Sequence, residues 1–338
     1  MKAVLILISS FLCFNLMGQD TFSIIAADPE TGEIGAAGAT CVDNIASLGG
    51  IKILNKIIPG KGGINAQASI CINPHINLET GITQMANGLS PEEILDHLYN
   101  NDNCFASNGD PESRQYGVLD FDDNGDVRTA AFSGINCLDY KGHITGPHYS
   151  IQGNILLGPE VIEEMEKGFN NTEGSLANKL MAAMQGANIP GADSRCLDRG
   201  TSSTTAFLKV VKPDDLATNP SLLLDILEMP FGEEPIDSLQ VLFDEWSQLV
   251  SADKLLDTHN SFQIYPNPIK DELNIRAVSD ATIHSYHIYD LRSQLIINKS
   301  QINTSQLDLD FGPLDLGIYL LHLEDKKGRR HIQKVIKI

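Results

Sequence analysis

Short apolar runs, punctuated by Gly, Pro, Asn and Asp, dominate the chain beyond residue 20 and set the elements it should form. TFSIIAA (21–27) and EIGAAGAT (33–40) read as strands joined by the turn DPETGE, and SLGGIKIL (47–54) reads as a third. Two helices are predicted next. The second carries Ser90 as N-cap, Pro91 at the first helical position and Glu93 three residues on, which is a capping box. QYGVLDF and DVRTAAF flank an Asn-Gly pair and predict a hairpin. The period then becomes helical. Pro159 opens GPEVIEEMEKGF, and GSLANKLMAAMQGA sets Leu176, Leu180 and Met184 four apart as one buried stripe. Methionine in such a stripe reads as adaptable core filler rather than a cofactor contact. TTAFLKVV returns to a strand. Paired strands, then helices, then strands predict an α+β domain with mostly antiparallel sheet.

From about Ser261 the texture changes. FQIYPNP, DELNIRAV, IHSYHIYDL, SQLIIN, LDLDF, GIYLLHLED and HIQKVIKI are short, often alternating runs with turns about every ten residues. That pattern predicts a small β-sandwich over 261–338. SADKLLDTHN (251–260) reads as a linker. A length of 338 residues agrees with two domains.

The first residues follow a different logic. Lys2, an apolar run from Ala3 to Leu16 and the small residue Gly18 have the layout of a secretory signal peptide over 1–18. The run is too short to span a membrane, and no later stretch reaches about 18 consecutive apolar residues, so no transmembrane segment is expected in the mature chain. A cut after Gly18 leaves Gln19 and Asp20 ahead of Thr21. Export makes disulfides available to Cys41, Cys71, Cys104, Cys137 and Cys196: one or two pairs, with at least one thiol over. None forms a CxxC and no histidine stands at zinc spacing from them, so neither a metal site nor a cofactor is expected.

Charge sharpens the division. The net charge is −20, yet residues 255–338 hold ten basic and ten acidic residues, so the whole excess lies on 1–254. Such a surface repels phosphate backbones and argues against a nucleic-acid partner.

Candidate motifs are few. Asp120, Asp122, Asn124 and Gly125 match the start of an EF-hand loop, but its twelfth position is Ala131 instead of a bidentate Glu, and the flanks read as strands. Gly60, Gly62 and Gly63 fit a turn better than a phosphate cradle, since neither GxGxxG nor GxxxxGK[ST] is present. His75, His97 and His143 occur in unrelated contexts, and there is no GxSxG elbow. Thr21 is left. A terminal threonine can attack a carbonyl with its own α-amine as general base, because that amine has a pKa near about 8. The structural reading of the same residue is an ordinary β-branched strand position.

TFSIIAADPETGEIGAAG, RQYGVLDFDDNGDV, SIQGNILLGPEVIEEM and GADSRCLDRGTSSTTAFLKV together resemble, in order, the family called domain of unknown function 1028, over roughly Thr21 to Leu249. The resemblance implies an Ntn-hydrolase-like four-layer αββα sandwich over 19–250 and hydrolysis of a peptide-like or cell-wall-derived amide. It implies Thr21 as nucleophile, exposed where relatives lose an initiator Met. Asn154 would then be an oxyanion or amine-orienting group. Asp193 and Arg195 would be a charge pair that binds substrate or braces the site. Gln67 and Gln152 would join Arg195 on the substrate side. The other reading is a non-catalytic secreted or surface-attached binding protein on the same fold, with Asn154 a turn residue and Asp193–Arg195 a bracing pair.

YPNP (265–268), DELNI after it and the ending GIYLLHLEDKKGRRHIQKVIKI resemble the type A sorting domain of type IX secretion. This implies the type IX machinery as partner, secretion or cell-surface attachment as destination, and a host of the Bacteroidetes type.

Overall fold

A computed structural model describes residues 21–72, 74–257, 262–278, 282–290, 295–328 and 330–337. The leader read over 1–18, its cut after Gly18, and 258–260 of the expected linker lie outside the described residues. The chain divides into two compact units, one ending at Phe243 and one beginning at Asp244.

In the first unit the strands are β1 (Thr21–Ala27), β2 (Ile34–Thr40), β3 (Asn55–Ile58), β4 (Gly62–Ala68), β5 (Arg114–Phe121), β6 (Val127–Ser133), β7 (Gly142–Gly146), β8 (Tyr149–Gly153), β9 (Thr205–Val211) and β10 (Leu222–Ile226). The helices are α1 (Ile76–Ala86), α2 (Pro91–Asn100), α3 (Glu160–Asn171) and α4 (Leu176–Gly186), and α5 (Pro235–Asp257) begins in this unit and runs past its boundary at Phe243. Two antiparallel sheets result, in the orders β10-β9-β2-β1-β8-β7 and β3-β4-β5-β6. β1 therefore lies inside the larger sheet, bonded to β2 and β8.

Strand alternation decides what each face meets. Ile25, Ala27, Ile34, Ala36, Phe207 and Val211 from the larger sheet pack against Ile57 and Leu119 of the smaller one, so the sheets meet face to face. Ile64, Ala66, Tyr116 and Val118 point the other way and are covered by Leu78 and Met85 of α1 and Ile94 and Leu98 of α2. On the far side of the larger sheet, α4 contacts β1, β2 and β9, and α3 contacts β7 and β8. Leu176, Leu180 and Met184 are buried, as their spacing predicts.

The capping box of α2 forms: Glu93 N–H reaches Ser90 Oγ at 3.4 Å, and Ser90 N–H reaches Glu93 Oε2 at 2.8 Å. The acidic loop closes the β5–β6 hairpin, with Asp122 Oδ1 accepting from the N–H groups of Asn124 and Asp126. One expected strand does not form. SLGGIKIL folds as two 3-10 helices, Ile45–Leu48 and Ile51–Leu54, separated by Gly50 at φ +83°. With three residues per turn, Ile51 and Leu54 share a face, and both are core residues. A second expectation changes too, because 251–257 of the expected linker continue α5.

His75 caps α1, its Nδ1 accepting from Leu78 N–H at 3.4 Å. Burial pulls its pKa from 6.5 down to about 4. The folded chain thus keeps His75 neutral while an unfolded chain takes up a proton below about pH 6.5, so stability is full above that value and lost as pH falls toward 4. A shift of this size corresponds to about 3 kcal/mol. In denaturant titrations between pH 4 and 7, His75→Asn should flatten this dependence. An unchanged slope would refute the assignment.

The second unit contains β11 (Phe262–Tyr265), β12 (Glu272–Ala277), β13 (Ile283–Asp290), β14 (Leu295–Thr304), β15 (Gln306–Asp310), β16 (Gly317–Asp325) and β17 (Arg330–Lys337). Each of the seven predicted runs is a strand. They form sheets β11-β12-β15 and β14-β13-β16-β17, closed on a core that includes Leu273, Ile275, Ile288, Phe311, Leu321 and Val335. Asn267, in the YPNP motif, clasps the last strand: its Nδ2 donates to Lys334 O at 2.6 Å and its Oδ1 accepts from Ile336 N–H at 2.9 Å.

Candidate functional site

Between the two sheets of the first unit lies a cluster of neutral polar side chains without solvent exposure: Ser23, Asn65, Gln67, Gln115, Ser150, Gln152 and Asn154. Each sits at or beside a strand, and all but Gln115, which follows Arg114, have apolar or glycine neighbours. Burial obliges such groups to satisfy one another, since an unpaired buried donor or acceptor costs about 1–3 kcal/mol. Ser23 Oγ donates to Gln67 Oε1 at 2.6 Å and accepts from Gln152 Nε2 at 2.6 Å and Asn65 Nδ2 at 3.1 Å. Gln115 Oε1 accepts from Gln67 Nε2 at 2.7 Å and Asn154 Nδ2 at 2.9 Å. Its Nε2 donates to Gly153 O and Ser133 Oγ, both at 2.8 Å. Gly117 leaves room for this packing, because a Cβ there would stand 2.0 Å from Gln152 Oε1.

The cluster holds the start of β1. Thr21 O accepts from Gln67 Nε2 at 2.9 Å and from Asn154 N–H at 3.1 Å. By alternation with Ser23 and Ile25, the Thr21 side chain lies on the face turned to the second sheet. Asn154 Oδ1 is buried and has no hydrogen-bond partner.

Thr40 stands opposite Thr21 in the sheet. Here the second group of expected residues arrives. Arg195 grips Asp193 through Nε at 2.9 Å and Nη2 at 2.6 Å, and Nη2 reaches Thr40 Oγ1 at 3.4 Å. Asp193 is fully buried, and its Oδ2 also accepts from Cys41 N–H at 2.8 Å. A disulfide joins Cys41 to Cys196 beside this pair, with Cα atoms 5.8 Å apart. A second joins Cys71 to Cys104, and the thiol of Cys137 donates to Arg114 O at 3.3 Å.

All six residues expected from the sequence therefore gather about the Thr21–Thr40 end of β1 and β2. Gln67 and Gln152 do so with their amides committed to Ser23 and Gln115. Sequence reasoning missed Ser23, Asn65, Gln115 and Thr40; polar residues at inward positions of otherwise apolar strands are the signal that marks the first three. It also left His143 without context. His143 Nδ1 lies 2.9 Å from Ser133 Oγ, at the rim of the cluster, with its pKa lowered by burial. On the other side Asn65 Oδ1 accepts from Asn55 Nδ2 at 2.7 Å, and Asn55 O lies 3.5 Å from the Nζ of Lys209, whose pKa burial pulls down to about 8.

Comparison with known families matches residues 21–239 to a family of unknown function, DUF1028. The chain belongs to the DUF1028 family. A crystal structure of a DUF1028 protein, SPO2555 from Silicibacter pomeroyi, is 25% identical, covers 68% of this chain and 89% of its own, and superposes with a TM-score of 0.52. The dimeric latent PorU of Porphyromonas gingivalis is 16% identical over 40% of this chain and 12% of its own; its TM-score of 0.18 carries no argument. No curated protein matches. Residues 263–338 match a secretion-system C-terminal sorting domain, so this DUF1028 protein is addressed by type IX secretion to the medium or the cell surface. Among the described residues no helix is long and apolar enough to cross a membrane.

Proposed function

We propose that the DUF1028 domain is an Ntn-type amide hydrolase with Thr21 as nucleophile, acting on a peptide-like or cell-wall-derived amide. One observation carries this reading. Thr21 opens an inner strand, facing the second sheet, beside an Asn154 whose buried Oδ1 lacks a donor. The order helix, sheet, sheet, helix agrees with the αββα arrangement that such chemistry uses.

Freed of the residues before it, Thr21 would carry an α-amine with a pKa near about 8, so part of it is free base at neutrality and the larger part only above about pH 8. The amine takes the Oγ proton as Oγ attacks the substrate carbonyl carbon. The C–N bond then breaks, the proton passes to the leaving amine, and water hydrolyses the acyl-enzyme. Asn154 Nδ2 is committed to Gln115, which favours Oδ1 as an acceptor orienting the amine over Nδ2 as an oxyanion donor. Gln67 and Gln152 are positioning residues here, and Asp193–Arg195 braces Thr40 against Thr21.

The expected cut after Gly18 leaves two residues on Thr21, so the mechanism requires a further trimming step. Intact mass and N-terminal sequencing of the exported protein should find Thr21 first, and Thr21→Ala should lower amide hydrolysis about 10³-fold or more while Thr21→Ser retains it. A mature chain starting at Gln19 would overturn the nucleophile. It would favour the binding-protein reading, with which the complete burial of Thr21 agrees.

A further inference from the structure

The outer face of the four-stranded sheet in the C-terminal unit brings together two imidazoles that sequence spacing keeps far apart. β13 and β16 are antiparallel neighbours, and their register pairs Tyr286 with Leu323, His287 with His322 and Ile288 with Leu321. Tyr286, Leu323, Ile288 and Leu321 belong to the core, so His287 and His322 point the other way, and both are half-buried. Directly opposed residues on antiparallel strands have Cβ atoms about 4.5–5.5 Å apart. Two imidazoles so placed can meet one ion at the usual metal–nitrogen distance of about 2.0–2.1 Å. Tyr289 borders the pair, its ring centroid 4.7 Å from that of His322 and 6.3 Å from that of His287. This aromatic wall restricts the rotamers of both histidines and reduces the entropy that chelation would otherwise cost.

We propose that His287 and His322 form a cross-strand clip for a first-row divalent cation of the imidazole-preferring kind. Neutral imidazole suits copper, nickel and zinc, whereas calcium and magnesium demand oxygen. Among the described residues no group of three or more His, Cys, Asp or Glu gathers to hold a metal. Among the described residues the clip therefore offers two ligands, and water can fill the remaining positions. It ties the two inner strands of the order β14-β13-β16-β17. Simple cross-strand aromatic packing would place the same rings without binding anything.

The test uses the full chain, freed of metal, titrated with Zn²⁺ by calorimetry and with Cu²⁺ followed by electron paramagnetic resonance. One equivalent of Cu²⁺ should show superhyperfine coupling to two imidazole nitrogens. Saturating Zn²⁺ should raise the unfolding temperature of the C-terminal unit. His287→Gln and His322→Gln should each weaken binding about tenfold or more, as even loss of outer-shell support does, and the double variant should bind at least as weakly as either single one. Both positions are on the outer face, and the metal-free melting of each variant verifies folding. Variants binding like the parent would assign the ion to other histidines and overturn the proposal. So would a spectrum with fewer than two imidazoles, or no binding at millimolar Zn²⁺.

Discussion

Replacing both Cys41 and Cys196 by serine should lower the unfolding free energy by about 2–5 kcal/mol. The bridge closes a sequence separation of 155 residues, for which chain entropy alone gives about 5 kcal/mol. Cys71–Cys104 closes only 33 residues and should matter less. The local consequence is as specific as the global one. Cys41 N–H is bonded to Asp193 Oδ2, and Cys196 follows Arg195 directly, so the bridge fixes the charge pair against the Thr40 end of β2. Guanidinium titration of parent and double variant measures the loss. A change under about 1 kcal/mol would mean that the surrounding core already holds the loop in place.

Arg114→Met should cost about 3–5 kcal/mol, the scale on which breaking one half of a buried ion pair acts. Arg114 is entirely buried, and Asp102 is nearly so. Its Nε donates to Asp102 Oδ2 at 2.7 Å, Nη1 to Ser69 O, and Nη2 to Cys104 O and Ala106 O at 2.8 and 2.9 Å. Methionine fills much of the volume but strands the carboxylate and three carbonyls. Because the penalty comes mainly from the stranded charge, Arg114→Met combined with Asp102→Leu should recover part of it. A double-mutant cycle with additive costs would show that the two residues act independently.

How much of this was legible beforehand depended on the range of the interactions. The capping box at Ser90, the Asn-Gly hairpin and the Leu176–Met184 stripe are local and were read correctly. The seven tail strands carry their own turns and alternation, and were read correctly too. SLGGIKIL misled because its Ile residues favour strands, while the positive φ at Gly49 and Gly50 and the three-residue spacing of Ile51 and Leu54 suit 3-10 turns. The chain after Asp225 hid its last helix because SADKLLDTHN looks like a linker when its continuity with the preceding turns is ignored. The buried cluster was least legible. Its members come from β1, β4, β5 and β8 and from the turn after β8, and only the sheet register brings Ser23 to Gln67 and Gln152. Thr21 was singled out by its place near the end of the leader, whereas Gln67, Gln152, Asn154, Asp193 and Arg195 were reached through resemblance to a family, not through spacing.

The clasp between Asn267 and the last strand bears on what kind of label the tail is. Asn267 bonds to residues 67 and 69 positions further on, and Ile269 N–H reaches Ile336 O at 2.8 Å. The YPNP motif is therefore one half of a joint whose other half lies in β17, far along the chain. A chain that stops short of β17 leaves the Asn267 amide without its partners and the edge of β16 bare. Such a chain would carry the YPNP motif without the fold that surrounds it here.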